Sequence, residues 1–145
     1  MLLERQLEEI SKQTIKKNRH RFCDSKGLFD YFNKYFVKLE QEVFTVVVCD
    51  CKNGIIGGSI INLGGMQEVN VDIKILFRKV FSFPGVVSII IMHNHPSGDI
   101  TPSSCDLNIT RKISAACEVL DIRLLDHIIF GEDAYCSLRD MGIIR

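Results

Sequence analysis

The apolar run from Val86 to Met92 ends directly on His93-Asn94-His95-Pro96-Ser97-Gly98, and no other feature restricts the fold of this chain as much. A run that apolar reads as a central strand covered on both faces. Successive side chains on an extended backbone alternate sides, so His93 and His95 leave the strand end in the same direction. Pro96 and Gly98 turn the chain. A helix from Ser103 to about Leu120, apolar at Leu107, Ile109, Ile113, Cys117 and Leu120, then carries Asp106 in its first turn. Ser103 followed three residues later by Asp106 is a capping-box pattern, with Asp in place of the usual Glu or Gln. Two imidazoles and one carboxylate, held by a strand end and a helix start, form a donor set for a divalent transition metal, zinc first among them, with a coordination position left open.

The remaining elements arrange themselves around that strand. Leu28, Phe29, Phe32, Phe36 and Leu39 recur at helical spacing, predicting a helix over residues 26–39 capped by Asp24 or Ser25. Val43 to Cys49 is a β-branched run suited to a buried strand; Asn53-Gly54 supplies a hairpin turn, and Ile55 to Leu63 returns. A helix opened by Asn70 or Asp72 reaches about Phe81, where Ser82 to Gly85 stops it. Ile122 to Phe130 and Tyr135 to Ser137 read as two further strands, and Leu138 to Met141 as a closing helical turn. The order αββαβαββ describes an α/β (α+β) domain with a mixed sheet and helices packed against it. Residues 1–25 read as a polar lead-in with a weak helical stripe, Leu3, Leu7 and Ile10, and residues 26–145 as the domain.

Eighteen basic and eighteen acidic side chains cancel, so the charge balance gives no support to nucleic-acid binding. The basic run from Lys16 to Arg21 is the one stretch that could make such a contact, and a solvated segment is its default reading. Six cysteines without a Cys-x-x-Cys pair, no signal pattern and no membrane-length apolar run point to thiols kept reduced in the cytoplasm. Cys49 and Cys51, two apart, would share a strand face, but no second pair completes a four-thiolate site. No membrane partner is expected, and nothing in the sequence sets the oligomeric state.

Ligand type alone leaves non-haem iron beside zinc. A zinc deaminase needs His-x-Glu and a later Pro-Cys-x-x-Cys, and neither occurs. The string His93-Asn94-His95 matches the name, not the spacing, of the His-Asn-His nucleases.

His93-x-His95, seven residues, Ser103, two residues and Asp106 resembles the JAMM (MPN) metalloprotease signature. His93 to Gly98 followed by Thr101-Pro102-Ser103 is similar to the bacterial RadC family within that group, as are Leu125 to Gly131 and Tyr135 to Leu138. The resemblance covers about residues 26–145. It implies a single JAMM/MPN-like domain with a mixed central sheet flanked by helices, of cytidine-deaminase-like architecture. It also implies one Zn2+ per chain on His93, His95 and Asp106, and Ser103 at the oxyanion. An upstream glutamate acts as general base in the JAMM enzymes. Glu42, at the start of the first strand, fits that role best, with Glu40 second and Glu68 third.

The implied activity is hydrolysis of an amide bond in a peptide or protein substrate. The alternative is a non-enzymatic, metal-stabilised module in DNA repair or recombination. The helix-hairpin-helix region that usually precedes this domain is not among these residues. Two places differ from the RadC pattern, Gly64-Gly65 and Asp72-Ile73-Lys74, while the motif ligands are unchanged. His127 reads as a buried, hydrogen-bonded histidine and not as a fourth ligand, and Cys105 as packing beside a ligand.

Overall fold

A computed structural model describes residues 1–12, 19–64 and 71–145. The four helices among them are α1 (Leu2–Lys12), α2 (Ser25–Phe36), α3 (Ile73–Val80) and α4 (Ser104–Leu120). The five strands are β1 (Val43–Cys49), β2 (Ile55–Leu63), β3 (Ser88–Asn94), β4 (Arg123–Phe130) and β5 (Tyr135–Ser137). They form one mixed sheet in the order β2-β1-β3-β4-β5, parallel only between β3 and β4. This is the α/β arrangement expected, with β3 at its centre and every residue of β3 buried.

Both faces of the sheet are covered, which is why β1 and β3 carry no polar alternation. On one face Val46, Val48, Ile89, Ile91 and Ile129 pack with Leu76, Phe77 and Val80 of α3 and Ile109, Ile113 and Cys117 of α4. On the other, Val43, Val47, Ile90, Met92, Ile128 and Phe130 pack with Leu3, Leu7 and Ile10 of α1 and Leu28, Phe32 and Phe36 of α2. The parallel step from β3 to β4 runs through α4, as a crossover must. Asp121 ends α4 in the left-handed conformation.

The element order differs from the expected one by α1. The Leu3, Leu7, Ile10 stripe is buried, and α1 packs against β2. Gly58 permits the approach, since a Cβ there would meet Leu7 Cδ2 at 2.7 Å and the Val46 carbonyl at 2.8 Å. A polar composition concealed this helix because only three of its eleven residues face inward.

The hairpin between β1 and β2 is also wider than the Asn-Gly signal alone implies. Asn53 does adopt a positive φ of 59°, but the loop is organised by Asp50, whose Oδ1 accepts from the N–H groups of Lys52 and Gly54. Cys51 therefore sits exposed in the turn, off the strand that buries Cys49, and the two thiols do not share a face. The Lys16 to Asn18 part of the basic run, Glu68, Gly65 and Asn70 lie outside the described residues. Asp72 is the N-cap of α3, accepting from Lys74 N–H.

Candidate metal centre

The site forms where β3 ends against the first turns of α4. Ile89, Ile91 and His93 share the α4 face of β3 by strict alternation. Ile91 is paired with His127 of β4, so His127 stands on that same face beside His93. Asp106 and Thr110, one helical turn apart, project from α4 toward both. Beyond the last pairing of β3, His95 keeps its backbone N–H on the Phe130 carbonyl at 2.9 Å, which carries the alternation one step past the strand. Gly98, at φ 84°, then turns the chain and returns an N–H to the His95 carbonyl.

One atom each from His93, His95 and Asp106 lies within 4.8 Å of the others. The two Nε2 atoms are 3.0 Å apart. Asp106 Oδ1 is 3.1 Å from His93 Nε2, and Oδ2 is 3.2 Å from His95 Nε2. His93 and Asp106 are buried, while His95 reaches a cleft. Asp106 is also the third residue of α4, and its Oδ2 accepts from Ser103 N–H at 2.8 Å while Ser103 Oγ accepts from Asp106 N–H at 3.0 Å. The capping box thus orients the carboxylate as well as starting the helix.

Hydrogen bonding decides which ring nitrogens are available. His95 Nδ1 sits 2.6 Å from the Asp99 carbonyl, which can only accept, so Nδ1 carries the proton and Nε2 presents its lone pair. His93 Nδ1 faces His127 Nε2 at 2.7 Å. Lone pairs and a carboxylate converging on one point repel unless a cation or a proton lies among them, and this donor set fits a divalent metal.

The charges respond accordingly. Burial works to raise the Asp106 pKa, but the bonds to His93 and His95 and the Ser103 N–H outweigh it and hold the carboxyl well below the ordinary range. The Asp106 carboxylate raises the His95 pKa above its usual value against the opposing effect of burial, with smaller help from the Asp99 carbonyl and Glu42. Burial, then the neighbouring His93, pushes His127 far down, so it is a neutral imidazole.

The chain matches the RadC-like JAB domain family over residues 22–143. It belongs to the RadC family. Relatives include UPF0758 proteins of Carboxydothermus hydrogenoformans, 36% identical over 123 residues and covering 85% of this chain and 54% of the relative. That of Pelobacter propionicus is 35% identical over 128 residues, covering 88% and 56%. A third, from Trichodesmium erythraeum, is 41% identical over 101 residues, covering 70% and 41%. The chain thus spans about half the length of the curated relatives it matches. As a RadC-like JAB domain it has a JAMM-type metal-dependent fold in which His93, His95 and Asp106 could hold a metal ion.

A cleft of about 450 Å³ opens over His95 and Asp106, walled by Glu42, Pro96, Ser97, Asp99, Thr101, Ser103 and Cys105. Glu42 and Ser103 therefore flank the same opening. Glu40 is exposed and is not among the cleft-lining residues. Ser103 Oγ accepts in the capping box, which leaves its hydroxyl proton to donate into the cleft.

Three contributors escaped the sequence reading. Asn94, between the two histidines, faces the opposite side of the sheet; its Oδ1 accepts from Val43 N–H at 2.8 Å and its Nδ2 donates to the Gln41 carbonyl at 3.1 Å. It thus holds the backbone on both sides of Glu42. The Asp99 carbonyl and Thr110 complete the set. Only Thr110 left a trace in sequence, four residues after Asp106 on the same helix face.

No described helix is long and apolar enough to cross a membrane.

Proposed function

We propose that this chain is a zinc-dependent hydrolase of the JAMM type that cleaves a peptide or isopeptide bond in a protein or peptide substrate. The reading rests on one observation above all: the Nε2 atoms of His93 and His95 and the Asp106 carboxylate converge on one point, and His95 and Asp106 line an open cleft. Two His and one carboxylate with an open side are the donor set of a catalytic zinc rather than a structural one. When bound there, one zinc per chain would acidify water and polarise a carbonyl as a Lewis acid.

The chain's own residues supply the rest. Glu42, on the cleft wall, takes a proton from the attacking water and delivers it to the leaving amine. The Ser103 hydroxyl donates to the carbonyl oxygen as negative charge develops on it. Asn94 steadies Glu42 through the backbone of Gln41 and Val43. Six unpaired cysteines support a reducing compartment, the cytoplasm.

Metal analysis of the purified chain, with His95→Ala and Glu42→Gln beside it, tests this reading. One zinc per wild-type chain and none in His95→Ala is expected. Glu42→Gln should keep the zinc and lose cleavage of peptide or isopeptide-linked substrates. A wild-type chain without stoichiometric zinc overturns the proposal. Zinc without any cleavage would favour a metal-stabilised, non-enzymatic module.

A further inference from the structure

Behind the candidate ligands lies a hydrogen-bonded chain that neither the family match nor the proposed chemistry uses. It begins and ends on two of those ligands. Thr110 Oγ1 donates to the backbone carbonyl of Asp106 at 2.6 Å. The same oxygen lies 2.6 Å from His127 Nδ1, and His127 Nε2 lies 2.7 Å from His93 Nδ1. Thr110, His127, His93 and Asp106 are all buried, at no more than 1% exposure, so water does not substitute for any link.

The proton positions in this chain follow from counting donors. A hydroxyl has one proton, and the Asp106 carbonyl, which can only accept, takes it. Thr110 Oγ1 is therefore left as an acceptor, and His127 Nδ1 must carry the proton that reaches it. The His127 ring is fully buried and bonds only a hydroxyl and another imidazole, so no carboxylate holds a charge on it; its Nε2 is bare and accepts from His93 Nδ1–H. With Nδ1–H committed to His127, Nε2 is the His93 nitrogen that faces His95 and Asp106, and it is bare when a metal replaces any proton there.

We infer that Thr110 and His127 are positioning residues that hold His93 in the Nδ1–H tautomer, keeping its Nε2 lone pair aimed at the metal position. The inference rests on the metal reading for its purpose, but the Nδ1–H link from His93 to His127 is a property of the metal-free chain. Phe44 keeps both rings in place, stacked on His93 and edge-on to His127 with ring centres 5.8 Å away in each case. Removing the Thr110 oxygen would free His127 to carry its proton on Nε2. It would then donate to His93 Nδ1 and move the His93 proton onto Nε2, into the position a metal needs.

Thr110→Val tests this, because it keeps the shape and removes the acceptor, with Thr110→Ser as the conservative partner. Zinc dissociation constants come from chelator competition, and the imidazole tautomers of the full chain from long-range 1H–15N NMR correlations without metal. Thr110→Val should bind zinc about 10-fold to 100-fold more weakly, and Thr110→Ser should restore wild-type affinity. NMR should show His93 protonated at Nδ1 and His127 bare at Nε2 in the wild type. A Thr110→Val chain that loses thermal stability but keeps wild-type zinc affinity overturns the inference, since that is the mark of a merely structural threonine. So does a wild-type His93 protonated at Nε2 alone. Should Thr110→Val fail to fold, the wild-type tautomers still decide the matter. A wild type that binds no zinc would sink the metal reading while the NMR result continued to judge the relay.

Discussion

His93 Nε2 and His95 Nε2 stand 3.0 Å apart with Asp106 oxygens 3.1 and 3.2 Å away, and both rings hold their Nδ1 protons elsewhere. Without a metal, Asp106 favours a proton in the space among these atoms by raising the His95 pKa. A metal and that proton compete for one place.

Zinc should therefore stabilise the fold. At a free concentration 100 times the dissociation constant, linkage gives about 2.7 kcal/mol. Differential scanning calorimetry of the wild type with and without zinc should show a higher Tm when loaded, and His95→Ala should show no zinc-dependent shift.

The competition has a definite sign in pH. His95 has a raised folded pKa, so the metal-free chain draws stability from it that is complete below the unfolded value and fades as pH rises through the folded one. Asp106, depressed, contributes stability above the ordinary carboxylate range and loses it only in strong acid. Zinc affinity should run the other way, falling about tenfold per pH unit below the His95 pKa as one proton must be displaced. Calorimetric titrations between pH 5 and 8 check this; a flat profile would contradict it.

Asn94 ties the candidate base to the candidate ligands, since its amide grips residues 41 and 43 from a position between His93 and His95. Asn94→Ala leaves the Val43 N–H without its partner and should cost about 1–3 kcal/mol in chemical denaturation. It should also lower turnover more than zinc affinity, because the histidines stand on the other face.

The thiols should divide by burial. Burial pushes Cys49 up to about 12 and Cys117 up to about 11, whereas Cys23, Cys51 and Cys105 are exposed. At pH 8 a disulfide reagent should modify the three exposed thiols rapidly, and Cys49 and Cys117 only at the rate of unfolding. Mass spectrometry of partly labelled protein would locate the sites.

Residues 1–12 should behave as part of the folded unit, because Leu3 and Leu7 are 0% and 2% exposed against the sheet. Leu7→Ala should cost about 2–5 kcal/mol. A change within measurement error would mean that α1 does not hold the second core.

Much of this protein was legible in the chain because local patterns and tertiary demands agree. The β-branched run at Val43, the apolar run before His93 and the Ser103, Asp106 cap each specify an element from a few neighbouring residues. The ligand spacing is equally local, since a strand end and a helix start connected by a short turn leave few ways to arrange His93, His95 and Asp106. What sequence could not decide depended on pairings between distant segments. That His127 stands behind His93 follows from the parallel register of β4 on β3, and that Asn94 brackets Glu42 follows from β1 lying antiparallel on the other side. The helix α1 drew its stability from burial against β2, not from its own polar sequence. Sequence by itself determined which residues are candidates for the chemistry; only the tertiary structure decided which nitrogen of each histidine faces the site, because a tautomer is set by the partner on the ring's far side.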